Sequence, residues 1–98
     1  MPTFEREPRF DREFRRLSRE LQRAFLDVLP SFIEALRAKP PAFSPRLRVK
    51  RVEGTPGVWE MTFAPDGRAT FAYGREVVRG EPHVVWRRIG DHSIFDDP

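Results

Sequence analysis

The stretch from Val58 to Tyr73, VWEMTFAPDGRATFAY, constrains the fold most. Two runs of alternating apolar and polar residues flank Pro65-Asp66-Gly67. Proline presets φ for a turn, aspartate suits the next position, and glycine can take positive φ. The triplet therefore predicts a three-residue hairpin loop with a glycine bulge. In that register Ala64 faces Arg68, Thr62 faces Thr70 and Glu60 faces Ala72. On the other face Phe63 meets Ala69, Met61 meets Phe71 and Trp59 meets Tyr73. Side chains alternate with period two, so a pairing slipped by one residue would mix polar with apolar. The hairpin thus has a greasy face that needs a cover. Its polar face, carrying Glu60 and Arg68, can stay open to a partner.

The cover lies upstream. Phe10, Phe14, Leu17, Leu21, Phe25, Val28, Leu29, Phe32, Ile33 and Leu36 recur mainly at steps of three and four, the spacing of an amphipathic helix. Arg12, Arg15, Arg16, Arg19 and Arg23 fall largely on the opposite face. One unbroken helix over this stretch would run roughly 42 Å at about 1.5 Å per residue, too long for so small a domain. Ser18 is a ready N-cap with Glu20 in the following turn, so a helical hairpin broken near Leu17-Ser18 is predicted. Pro30 should kink the second helix or end it.

Around these elements lie shorter pieces. Residues 2–6 suit a short edge strand. Pro40, Pro41 and Pro45 mark a linker. Leu47 to Val52 alternates, which predicts a strand with Arg48 and Lys50 on one side and Arg51 on the other. A polar loop after Tyr73 leads to a last strand, His83 to Ile89. Consecutive strands with short connections imply an antiparallel meander. The expected fold is therefore a single α+β domain over residues 1–98: a helical hairpin on one face of a three- to four-stranded antiparallel sheet.

Composition narrows the function. The chain has no cysteine, which excludes a disulfide framework and a thiolate metal site, and its two histidines, nine residues apart, form no metal-ligand pattern. No metal or cofactor is expected. No apolar run approaches a membrane span, and the charged opening MPTFEREPRF is no signal peptide, so a cytoplasmic protein away from the membrane is expected. The net charge of +3 is uneven: residues 1–51 hold 13 of the 18 basic and 7 of the 15 acidic side chains. All but Lys39 and Lys50 of the basic residues are arginine, whose planar fork matches phosphate. Such a surface allows a polyanionic partner and equally suits a solvated helix pair.

In this order of elements, FDREFRRLSRELQ, LRVKRVEGTPGVWEMTF, GRATFAY and WRRIGDHSIF together resemble the RelE/ParE superfamily of bacterial toxins, along nearly the whole chain. The closing Arg88-Ile89-Gly90-Asp91-His92, with Phe95 after it, is similar to the Arg-x-Gly-x-His ending of YafQ-type toxins, and Glu60 with a strand arginine and a C-terminal histidine is similar to the YoeB type. The resemblance implies a cognate antitoxin as partner. It also implies cleavage of mRNA on the ribosome, at a site on the sheet's open face. A ParE-like toxin that inhibits gyrase without catalysis, and an inactive binding relative, are the alternatives. The terminal Arg-x-Gly-x-His favours the nuclease.

RNA cleavage without a metal needs a base for the 2′-OH, cations around the phosphate, an acid for the leaving 5′-oxygen and a ring to stack a splayed base. His92 suits acid or base, since imidazole titrates near neutral pH. Arg68 and Arg88 suit phosphate clamps. Glu60 suits either a base or a group that orients an arginine. In the predicted register it stands roughly 14 Å along the strand from Arg68, at about 3.4 Å per residue. Phe95 is either a stacking ring or a plug for the tail. Lys50, Arg48 and Arg51 would steer RNA phosphates. Tyr73, Trp59 and Trp86 read as core, and His83 has no evident role.

Overall fold

Two helices form where the apolar period requires them. The computed structural model describes residues 1–98; α1 spans Pro8–Arg16 and α2 spans Arg19–Leu36. Proline opens α1, where its missing N–H costs nothing, Asp11 lies in the first turn, and Arg15 and Arg16 lie in the last. Leu17 is extended and breaks the helix, and Ser18 Oγ then accepts from the Leu21 N–H as the N-cap of α2. Pro30 does not end α2, which continues to Leu36. Phe25, Phe32 and Leu36 are buried along one stripe of that helix and hold it against the sheet despite the lost backbone bond.

The sheet has five strands: β1 Thr3–Arg6, β2 Lys50–Arg51, β3 Trp59–Ala64, β4 Gly67–Gly74 and β5 His83–Gly90, in the order β1-β5-β4-β3-β2. The α+β class is as expected, with one or two strands more than predicted. The sheet is mixed, because β1 returns to lie parallel to β5 while all other pairs are antiparallel. His83 ties that parallel pair. Its buried ring lies between Thr3 Oγ1, 2.7 Å from Nδ1, and the Glu5 carboxylate, 2.8 Å from Nε2. The carboxylate can only accept, so Nε2 donates to it, and in a neutral ring Nδ1 accepts from the threonine hydroxyl.

The helix-facing side of the sheet holds an aromatic core. Phe25 meets Trp86 at 5.2 Å between ring centroids and Phe63 at 5.4 Å; Phe32 meets Trp86 at 5.0 Å and Phe71 at 5.2 Å. Most of these contacts are tilted or edge-to-face, the arrangement the ring quadrupole favours. Trp86 is buried as predicted. Trp59 is half-buried, and Tyr73 shares its face but stands at the margin, 41% exposed, with Trp59 against its ring.

The hairpin register differs from prediction. Ala64 pairs with Gly67, leaving a two-residue loop of Pro65-Asp66, and Phe63 is then bulged so that Thr62 pairs with Arg68, Met61 with Ala69 and Glu60 with Thr70. The short loop moves the pairing by one residue and the bulge by one more. The two shifts preserve parity, so every side chain keeps its predicted face while its partner changes. Gly67 does not have positive φ. Its role is spatial: a Cβ there would stand 2.5 Å from the Phe63 ring.

The segment before β2 also departs. Ser44 Oγ accepts from the Arg46 N–H and Pro45 opens a 3-10 turn, Pro45–Leu47. Arg48 then sits in the left-handed region at φ 47°, so only Lys50–Arg51 joins the sheet. Backbone turn chemistry outcompetes the alternating pattern there.

Candidate active site

The register places the polar side chains in rows. Lys50 pairs with Glu60, Glu60 with Thr70, and Thr70 with Arg88, so one row crosses four strands on the face away from the helices. Strands lie about 4.8 Å apart, so the row spans roughly 14 Å. The next row on that face runs Thr62, Arg68, Gly90. Arg68 is therefore two residues along from Glu60's partner, a diagonal neighbour at roughly 7–8 Å. This corrects the longer separation of the predicted register and draws Glu60, Arg68 and Arg88 into one patch.

A second bulge sets the arginines. The pairing shifts between Thr70–Arg88 and Phe71–Trp86, leaving Arg87 as the extra residue of β5. Apolar residues at 84 and 86 then 89 carry the signal in the sequence, since the inward phase changes between Trp86 and Ile89. Arg88 is held from the sheet edge. Its Nε donates to Glu13 Oε1 at 3.2 Å and its Nη2 donates to Glu13 Oε2, a two-point fork. Beyond Arg6 the β5 edge has no strand partner, and Glu13 also accepts from the Ile89 N–H at 3.4 Å. The Glu13 hydrogen bond raises the Arg88 pKa above its ordinary value, against the opposing effect of burial. Sequence reasoning missed Glu13, which reads as one more charge on the polar side of α1.

The remaining side chains differ in how free they are. Arg68 folds Nη1 onto the carbonyls of Ala64, Pro65 and Gly67 at 3.1–3.3 Å, which leaves its Nε and Nη2 without partners. Glu60 is mostly buried, with its carboxylate 3.8 Å from Lys50 Nζ. His92 is exposed and begins a 3-10 turn, His92–Asp96, with its ring edge-on to Phe95 at 5.8 Å. It follows by two residues Gly90, the partner of Arg68. The Ser93 side chain, and then its N–H at 2.8 Å, hold the Asp91 carboxyl below its ordinary value.

Arg48 and Arg51 do not join this patch. Arg48 is in the left-handed turn, and Arg51 lies on the opposite face, its guanidinium 5.2 Å from the Trp59 ring centre. The predicted basic trio is therefore split, with only Lys50 in the row.

The polar face is not wholly open. The 3-10 turn brings residues 94–98 back across it, with Ile94 buried so close to Gly90 that a Cβ there would stand 2.9 Å from it. Thr70, fully buried, donates through Oγ1 to the Pro98 main-chain oxygen at 3.2 Å. A cleft of about 690 Å³ opens elsewhere, between β1, α1 and α2, lined by Phe10, Phe14, Leu29 and Ile33. It holds none of the predicted catalytic residues.

The chain matches solved toxin structures closely in shape and little in sequence. The E. coli DinJ–YafQ complex contains a chain aligned at a TM-score of 0.59 and 10% identity, over 95% of this chain and 96% of that one. The chain has the RelE/ParE toxin fold. The intact E. coli RelBE toxin–antitoxin complex aligns at 0.60 and 14% identity, over 93% and 96%. A YoeB/ParE toxin from Agrobacterium tumefaciens aligns at 0.65 and 11% identity, over 92% and 98%. No protein-family model matches the sequence, and no curated protein matches it. The RelE/ParE fold positions the last strand and its tail beside the central hairpin, where the Glu60–Thr70–Arg88 row lies.

Proposed function

We propose that this chain is the toxin of a toxin–antitoxin pair and that it cleaves mRNA on the ribosome. The observation that carries the reading is the juxtaposition on one sheet face of Glu60, Arg68 and Arg88, with His92 just beyond the partner of Arg68. The fold shared with YafQ, YoeB/ParE and RelBE toxins supports it. The similar E. coli DinJ–YafQ and RelBE structures are toxin–antitoxin complexes, which supports a cognate antitoxin as this chain's partner.

The chemistry assigns roles as follows. The free Nε and Nη2 of Arg68 and the guanidinium of Arg88 hold the scissile phosphate. Glu60 or His92 takes the 2′-OH proton, the 2′-oxygen attacks phosphorus, and the P–O5′ bond breaks to leave a 2′,3′-cyclic phosphate. His92 in its protonated form then suits delivery of a proton to the departing 5′-oxygen, with Glu60 as base. Phe95 stacks a base beside the imidazole, and Lys50 steers the backbone. No helix is long and apolar enough to cross a membrane, and the action assigned here lies in the cytoplasm.

Inducible expression in bacteria tests the site. His92→Ala, Arg68→Ala and Arg88→Ala should each relieve growth arrest while the folded protein still binds its antitoxin. Arrest undiminished in all three variants would reject the assignment. Arrest without RNA cleavage in the wild type would favour the gyrase-directed alternative.

A further inference from the structure

Beyond the buried Ile94 side chain the tail is held by cationic donors, and each contact uses a donor that nothing else satisfies. Glu13 takes Nε and Nη2 of Arg88; the remaining Nη1 donates to the carbonyls of Asp97 at 3.0 Å and Ile94 at 3.4 Å. Arg87 Nε donates to the Pro98 oxygen at 3.1 Å, and Thr70 Oγ1 donates to the same atom at 3.2 Å. Arg9 Nη1 donates to the Asp97 carboxylate at 2.9 Å. Four tail oxygens, one of them on the Asp97 carboxylate, thus receive donors from three arginines and a threonine converging from α1, β4 and β5. A tetrahedral phosphate presents oxygens of the same kind, and arginine forks favour it. Asp96 adds a second negative charge beside them.

We propose that Asp96–Pro98 is a built-in occupant of a phosphodiester-binding cradle made by Arg9, Arg87, Arg88 and Thr70, and that RNA backbone binds by displacing it. The inference rests on the reading of this face as an RNA site and adds a self-inhibitory step to it. With the tail in place, Thr70 is fully buried and both Nη1 hydrogens of Arg88 are taken by tail carbonyls. With the tail lifted, the Thr70 hydroxyl and the arginine donors face solvent, where a phosphate oxygen carries the negative charge that water lacks and is the stronger acceptor. His92 precedes the displaced residues and keeps its place beside Gly90. The cradle can therefore fill without dismantling the catalytic group.

Fluorescence anisotropy with a labelled 2′-O-methyl oligoribonucleotide reads binding alone, since this probe lacks the attacking hydroxyl. The wild type is compared with Asp96→Asn/Asp97→Asn and with a full fold check by thermal denaturation. A charge-matched control, Asp27→Asn/Glu34→Gln, removes two exposed acids from α2 on the far side of the sheet. The tail variant should bind roughly two- to fivefold tighter than the control, the range that loss of exposed ion pairs supports. Deletion of residues 96–98 should tighten binding at least as much. Binding of tail variant and deletion no tighter than the control, or no binding by any of them, would overturn the proposal. Tighter binding without mRNA cleavage in cells would keep the cradle and reject the nuclease.

Discussion

The two faces of the sheet are built from the same strands and obey different rules. The inner face is settled by burial. Met61, Ala69, Phe71, Val84 and Ile89 are almost entirely removed from water. Burying a large apolar side chain is worth about 1.5–3 kcal/mol each, so the identity of the inward set dominates stability. The outer face is settled by pairing. Lys50–Glu60 and Arg88–Glu13 are matched by sign, and Arg87, Arg88 and Thr70 are completed by the tail. A two-residue error of register changes cross-strand partners on both faces and the membership of neither, so burial of the inner set is kept while the specific pairs of the outer face are lost. The face that carries stability is therefore tolerant of detail, and the face that carries chemistry is sensitive to it.

The contrast is sharpest in the core. Phe32→Ala removes a fully buried ring that touches Phe71 and Trp86, and should lower stability by about 3–5 kcal/mol in denaturant titration. Lys50→Ala on the outer row should cost no more than about 0.5 kcal/mol. Equal losses would break the comparison.

Glu13→Ala tests the helix carboxylate that fixes Arg88 at the sheet edge. It leaves the Arg88 fork and the Ile89 N–H without their acceptor and should cost about 1–3 kcal/mol. The variant should also lose RNA cleavage, because Arg88 is no longer aimed. Full activity with lowered stability would make Glu13 a structural group only.

The smallest effect concerns pH. The Arg9 hydrogen bond and charge, with Arg88 and Arg87 behind them, hold the Asp97 carboxyl below its ordinary 3.8. A depressed folded value means the clasp contributes fully above the ordinary value and is lost as pH falls through the folded one. The Asp97 side-chain carboxyl carbon shift should therefore be constant from pH 7 to pH 5 and move only below the ordinary carboxylate range. Arg9→Gln should bring that movement to higher pH.

Much of the inner face was legible. The three-to-four spacing located both helices, Ser18 located their break, and alternation in VWEMTF and ATFAY named the inward residues. The outer face was less so. Nothing local in PDG distinguishes a three-residue loop from a two-residue loop plus a bulge at Phe63, because both preserve the alternation. Alternation also misread Leu47–Val52, where Ser44 and Pro45 make a turn instead. Glu13 was invisible because its partners lie 75 and 76 residues away. The tail was equally out of reach, since all its anchors but the Asp97 carboxylate are main-chain oxygens, which carry no sequence signature. Among the candidate residues, Glu60, Arg68, Arg88 and Lys50 share one face, Arg51 lies on the other as the alternation predicts, and Arg48 sits in the turn outside the sheet.

The most direct measurement is primer-extension mapping of mRNA ends in bacteria expressing the wild type beside His92→Ala. The account predicts new cuts within translated messages for the wild type and none for the variant, at equal levels of folded protein. Identical cuts in both would remove His92 from the site, and growth arrest without cuts in either would contradict the nuclease reading itself.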